Sequence, residues 1–101
     1  MKLMTKELEQ LLPAIGTTAE QSDPIVHVKF FDPCGSWTWY ATEFDPVQRE
    51  FFGFVRGFEE ELGYFSLDEL ASVRNRLGLG IERDLHWRPT PLSKVKSGEV
   101  R

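Results

Sequence analysis

One cysteine, Cys34, is all the thiol chemistry in this chain of 101 residues. It can neither close an intrachain disulfide nor build a zinc site alone. Histidine is almost as scarce: His27 and His86 are the only two, and neither stands at zinc-site spacing with the other or with Cys34. No metal and no cofactor is expected. No apolar run approaches the ~20 residues of a membrane-spanning helix, so no membrane partner is expected. The opening MKLMTKEL lacks the ~7–15-residue apolar stretch of a secretory signal and is too acidic for a transit peptide, which predicts a cytoplasmic protein. Gly78-Leu79-Gly80 has neither the strand–helix context nor the lysine of a phosphate-binding loop. Internal repeats and low-complexity segments are also missing.

What is present is an ordinary globular mixture, 41% apolar and 28% charged, at a length that suits a single domain over residues 1–101. The net charge of −4 argues against a surface devoted wholly to nucleic acid. The charge is unevenly spread. Residues 1–70 hold thirteen acids and five bases, whereas residues 71–101 hold three acids and seven bases. The basic third either neutralises the acidic body within the fold or offers a patch to phosphate or to an acidic protein.

Thr5 can cap a short helix through Leu8, Leu11 and Leu12, with Glu7 and Glu9 in the first turn, where the helix dipole favours them. Pro13 stops it. Residues 16–22 read as a flexible connection ended by Asp23-Pro24. Twelve of the thirteen aromatics then fall between Phe30 and Phe65. The runs 25–31, 36–44 and 50–58 are rich in aromatic and β-branched residues and bounded by turn residues, which is the signature of strands. Short links between them predict an antiparallel meander. Pairing Phe31 with Ser36 and Phe44 with Glu50 puts Val26, Val28, Phe30, Trp37, Trp39, Ala41, Phe51 and Val55 on one side, with Gly53 and Gly57 leaving room for the indoles. That side is the expected core. Tyr64-Phe65 adds a short fourth strand. Ser66 and Glu69 form a capping box for a helix ending near Leu77-Gly78. Thr90-Pro91 starts a last helix through Leu92 and Val95.

The expected architecture is thus α+β: an N-terminal helix, an antiparallel three- to four-stranded meander over about residues 25–65, and a helical and irregular basic C-terminal segment. About three short helices pack mainly on one face of the sheet. The opposite face, with His27, Lys29, Thr38, Tyr40, Thr42, Phe52, Phe54, Arg56 and Phe58, is mixed rather than polar. Either a second layer covers it or it is a contact surface.

Catalytic sets are hard to assemble from these residues. Cys34 and His27 are about 20 Å apart if the first strand is extended. His86 with Glu82 and Asp84 is the one cluster that could build a hydrolase-type site. A non-catalytic protein acting by protein–protein contact is the leading expectation, with the acidic Glu59, Glu60 and Glu61 and the basic Arg83 and Arg88 as its charge patches. The alternative is a single-stranded nucleic-acid-binding module that stacks bases on Tyr40 and Phe54 beside Lys29 and Arg56. A monomer or weak homodimer is expected.

The phrases DPIVHVKFFDPCGSWTWYATEFD, FFGFVRGFEEELGYFSLDELASVR and LGLGIERDLHWRPTPLSKV resemble the small bacterial family called domain of unknown function 2958, from Met1 to about Val95. The resemblance implies a short accessory protein of plasmids, integrated elements or phages, near conjugation or anti-restriction genes. It implies no reaction and no catalytic residue.

Overall fold

The hydroxyl of Thr5 accepts the N–H of Leu8 at 3.2 Å and starts helix α1 (Lys6–Leu11), as the sequence predicts, in a computed structural model that describes residues 2–101. The chain continues through β1 (Ile25–Val26), β2 (Val28–Phe31), β3 (Thr38–Asp45), β4 (Glu50–Arg56) and β5 (Glu60–Ser66). Then follow α2 (Leu67–Ser72), β6 (Glu82–Arg83), β7 (Thr90–Pro91) and α3 (Leu92–Lys96). Five strands form one sheet in the order β5-β4-β3-β2-β6, and β1 pairs separately with β7. Every pairing is antiparallel. The α+β meander is therefore as expected, with β6 added at one edge and the fourth strand extended to seven residues.

The registers differ from the sequence reading in two places. Phe31 pairs with Thr38 rather than Ser36, because the reversal is wider than Asp32–Gly35. The Asp32 N–H reaches the Trp37 carbonyl at 3.1 Å, and the Asp32 carboxylate accepts the Cys34 N–H. A two-residue shift leaves the faces unchanged. In the second hairpin, Trp39 meets Val55 and Ala41 meets Gly53 as predicted, but Phe44 meets Phe51 rather than Glu50. The register slips between Ala41 and Glu43, leaving Thr42 as the extra residue of a β-bulge, its hydroxyl donating to the Phe52 carbonyl at 3.1 Å. The bulge brings Phe44 onto the face of Ala41 and sends Glu43 to the other.

Two cores result, one on each face. The first holds Val28, Phe30, Ala41, Phe44 and Phe51 under α1 and α2, with Leu3, Met4, Leu67, Leu70 and Ile81 closing over them. Phe44 and Phe51 stand 4.5 Å apart between ring centres, and Phe51 stacks on Phe65 at 5.1 Å. Such pairs add about 0.5–1.5 kcal/mol each beyond burial. Trp39 packs at the margin of this core. Trp37 is not inside it: its indole lies at the sheet's end, over Gly57, where a Cβ would overlap the ring. Gly53 leaves room not for an indole but for the Tyr40 carbonyl.

The second core covers the face that the sequence leaves open. Val26, Tyr40, Phe54, Leu92 and Val95 are buried together, with Trp87 against them. Strand alternation alone would put Val26 on the tryptophan side. The strand breaks at His27, so β1 leaves the sheet to pair with β7, and the Trp87 indole N–H donates to the Val26 carbonyl at 3.0 Å. Helix α3 lies on this side, opposite α1 and α2. It is pinned by Asp23, whose two carboxylate oxygens accept the Ser93 N–H at 2.8 Å and hydroxyl at 2.7 Å.

Helix α2 stops at Ser72, well short of Leu77. Arg74 folds back to donate to the Ala71 and Val73 carbonyls, which satisfies the helix end. The Asn75 side-chain oxygen then collects the N–H groups of Leu77 and Leu79, a local competitor to helix.

Candidate functional site

The four residues expected to bind nucleic acid do come together, but as the lining of the second core. Tyr40 is 2% exposed and Phe54 is 4% exposed, so neither ring is free to stack on a base. Their rings are 6.1 Å apart, and Tyr40 stands 5.8 Å from Trp87. Arg56 spans this core. Its guanidinium donates to the Val95 carbonyl at 2.5 Å, lies 5.3 Å from the Phe54 ring centre and pairs with Glu60 at 3.4 Å. It thereby satisfies carbonyls at the end of α3. Lys29 pairs with Asp84 at 3.8 Å and lies over Trp87.

The hydrolase-type cluster is not assembled. His86 is exposed in a turn, its N–H donating to the Asp84 carboxylate at 2.9 Å. Glu82 lines a cleft of about 520 Å³, whereas Asp84 lines a separate cavity of about 310 Å³. Cys34 is exposed in the first hairpin loop. Among the described residues, no three His, Cys, Asp or Glu side chains gather to hold a metal. The 520 Å³ cleft has an apolar floor that includes Leu67 and Ile81. Its Arg49 is engaged by Asp68 at 2.8 Å and its Arg74 by backbone carbonyls.

The charge patches lie at opposite edges of the sheet. Glu60 and Glu61 begin β5, and Arg83 ends β6. Arg83 donates to the carbonyls of Lys2 and Leu3 at 3.0 and 2.9 Å, fastening the N-terminal segment. Arg88 is exposed. Glu59 and Glu61 flank the tryptophan face: Glu61 pairs across β4 with Val55, which in turn faces Trp39. Glu60 belongs to the other face, beside Arg56.

An exposed ring backed by two half-buried indoles is at this same end of the sheet. Phe58, in the turn between β4 and β5, is 95% exposed. Its ring meets Trp37 edge-on at 5.4 Å, and Trp37 lies 5.9 Å from Trp39. Asn75 donates to the Asp32 carboxylate at 3.2 Å, which draws the loop bearing exposed Leu77 alongside the first hairpin. Sequence reasoning puts Trp37 in the core and gives Phe58 no role beyond the mixed face. The signal is Gly57: with no side chain there, an indole can lie over the end of β4 and leave the next residue outside.

A buried carboxylate is the other feature that the sequence does not announce. Glu43 is 2% exposed and accepts the Gly16 N–H at 3.0 Å, the Thr18 N–H at 2.7 Å and the Thr18 hydroxyl. The 16–22 segment is thus held to the sheet rather than loose. Burial pushes the Glu43 carboxyl upward, but these three hydrogen bonds outweigh it and hold the pKa below its ordinary 4.5. His27 shifts the same way through burial alone, below its ordinary 6.5, and its buried Nδ1 has no hydrogen-bond partner among the described residues.

Both shifts have one consequence for stability. The neutral His27 ring is the form the fold accepts, so the unfolded chain takes up the proton first. The stability it contributes is present above pH 6.5 and lost as pH falls through the lower folded value. The Glu43 contribution is present above pH 4.5 and lost below it. Melting temperature should fall in two stages on acidification. Glu43→Gln should cost about 2–3 kcal/mol at pH 7 and make the lower stage shallower. An unchanged lower stage in thermal melts of that variant would refute the assignment.

Residues 3–96 match the family model described as Protein of unknown function (DUF2958). Neither the curated proteins nor the solved structures give a match. With nearly its whole length matched, from the first core's N-terminal residues to the end of α3, the chain belongs to the DUF2958 family.

Proposed function

We propose that this chain is a non-catalytic binding protein that works by protein–protein contact in the cytoplasm, as a monomer or weak homodimer. The aromatic end of its sheet is the surface that meets the partner. The observation that carries this reading is Phe58, a large apolar ring held almost wholly in solvent against Trp37. A ring so placed contributes little to the fold. Exposed aromatic groupings with polar rims mark contact sites, where aromatic residues supply much of the binding energy. Glu59 and Glu61 provide the rim. Resemblance to a family met on bacterial mobile elements supports an accessory role there. The nucleic-acid alternative loses its support, because Tyr40 and Phe54 are inside.

A photo-crosslinking residue at position 58, introduced in producing cells, should trap one protein above background. Phe58→Ala should then weaken that partner about 30-fold, the size of an interface hot spot of about 2 kcal/mol, while stability changes by no more than about 0.5 kcal/mol. Unchanged affinity in the variant, or no trapped protein, would remove this surface from consideration.

A further inference from the structure

The two edges of the five-stranded sheet are finished differently. At one edge, β6 is only two residues long. At the other, β5 runs for seven residues with β4 on one side and, among the described residues, no strand on the other. Hydrogen bonds at both ends of the β4–β5 ladder fix which groups face outward. Gly57 N–H donates to the Glu59 carbonyl, and Leu67 N–H donates to the Arg49 carbonyl, each at 2.9 Å. These bonds belong to the register that pairs Gly53 with Gly63. By antiparallel alternation, odd-numbered residues of β5 bond inward, and the N–H and C=O groups of Glu60, Leu62 and Tyr64 point away from the sheet. Among the described residues, no backbone hydrogen bond from a turn, loop or cap engages them.

Such an edge is a template for another strand, and proteins usually blunt it with charge, cover or shortness. Here Glu60 and Glu61 charge one half, while Leu62-Gly63-Tyr64-Phe65 is left without charge. Leu62 is 47% exposed and Tyr64 is 62% exposed. Both line a groove of about 320 Å³ with Phe52 on the second face. On the first face, Gly63 has open space where a side chain would stand, so another backbone can approach closely.

We propose that β5 accepts an extended, basic segment of a partner protein as a sixth strand. Main-chain hydrogen bonds to Leu62 and Tyr64 supply the pairing, apolar side chains of the added strand rest against Leu62, Tyr64 and Phe52, and its Lys or Arg side chains meet Glu59 to Glu61. Charge selects a basic partner over a second copy. Antiparallel self-pairing about Gly63 would carry the Glu60-Glu61 end of one copy to the Ser66 end of the other, where Asp68 and Glu69 stand. This proposal rests on the protein-contact reading but uses backbone groups that Phe58 does not supply.

The test is amide hydrogen exchange, residue by residue, with a blocked eight-residue peptide of alternating Lys and Val as probe. Exchange at Leu62 and Tyr64 should slow at least about tenfold at peptide concentrations up to about 1 mM. The same peptide N-methylated at every residue should have no effect, and an alternating Glu/Val peptide should have almost none. Leu62→Pro should abolish the response at Tyr64, since it removes an outward N–H and no β4–β5 bond; the N-methylated probe tests the same main-chain bonds on the unaltered chain. No slowing with the Lys/Val probe would overturn the proposal, as would equal slowing by the Glu/Val peptide. Slowing that depends on protein concentration without peptide would instead assign the edge to a second copy. Phe58→Ala should leave the peptide response intact, so failure at the edge and failure at the aromatic end are read separately.

Discussion

Gly53→Ala is expected to destabilise the protein by about 3 kcal/mol, at the upper end of what overpacking costs. The reason is backbone against backbone. A Cβ on Gly53 would overlap the Tyr40 carbonyl oxygen, and the Ala41 Cα is close behind. No flexible side chain can move aside, because both atoms belong to the neighbouring strand where the bulge begins. For a chain of this length, the melting temperature should drop by about 15 °C. Gly63→Ala is the control. It sits in the same cross-strand row, paired with Gly53, but meets nothing within 4 Å. That change should be neutral or stabilise by about 0.5 kcal/mol. Equal melting temperatures for the two variants would mean that β3 can shift, and that the tight approach of the strands is not a constraint.

Phe54→Ala should cost about 3–5 kcal/mol, the usual loss for truncating a buried phenylalanine. The ring is 4% exposed, packed against Tyr40 and beneath the cations of Arg56 and Lys96. Removing it leaves a void under α3 and takes away the surface on which Arg56 lies. Urea unfolding measures the loss. Limited proteolysis at Lys94 and Lys96 should show α3 opening earlier than the first core. Were this face an open contact surface, the same substitution would change stability by no more than about 0.5 kcal/mol, so a small loss would contradict the second core.

Much of this arrangement is legible in the chain because strand alternation tolerates error. The first hairpin is wider by two residues than Asp32-Pro33-Cys34-Gly35 suggests, yet the paired residues 28–31 and 38–41 keep their faces. The grouping of Lys29, Tyr40, Phe54 and Arg56 follows from the same periodicity. Their burial does not, because a face that mixes rings with bases reads equally well as covered or bare. What covers it, α3 with Trp87, is recruited by contacts more than sixty residues along the chain, such as Trp87 to Val26. Local pattern carries no trace of such pairing. The two-residue strands β6 and β7 are invisible for the same reason, and β1, read as the start of the 25–31 strand, gives no sign that it leaves the sheet for β7. The bulge at Thr42 is hidden too, since TWYATEF alternates plausibly without it. Glu43 escapes a reading of the sequence because a lone carboxylate is usually solvated; only the returning backbone of Gly16 and Thr18 makes its burial tolerable.

The clip between Asp23 and Ser93 joins residues 70 positions apart, and this sets an order of events on the ribosome. Chains emerge N-terminal end first, at about 5–20 residues per second. The ladders from β2 to β5, with α2 after them, use residues 28–72 only and need nothing from α3 to pair. Tyr40 and Phe54 must then wait, bare, until α3 has been made. Until Leu92 and Val95 dock, that face is a greasy sheet open to whatever chaperone or neighbouring chain is near.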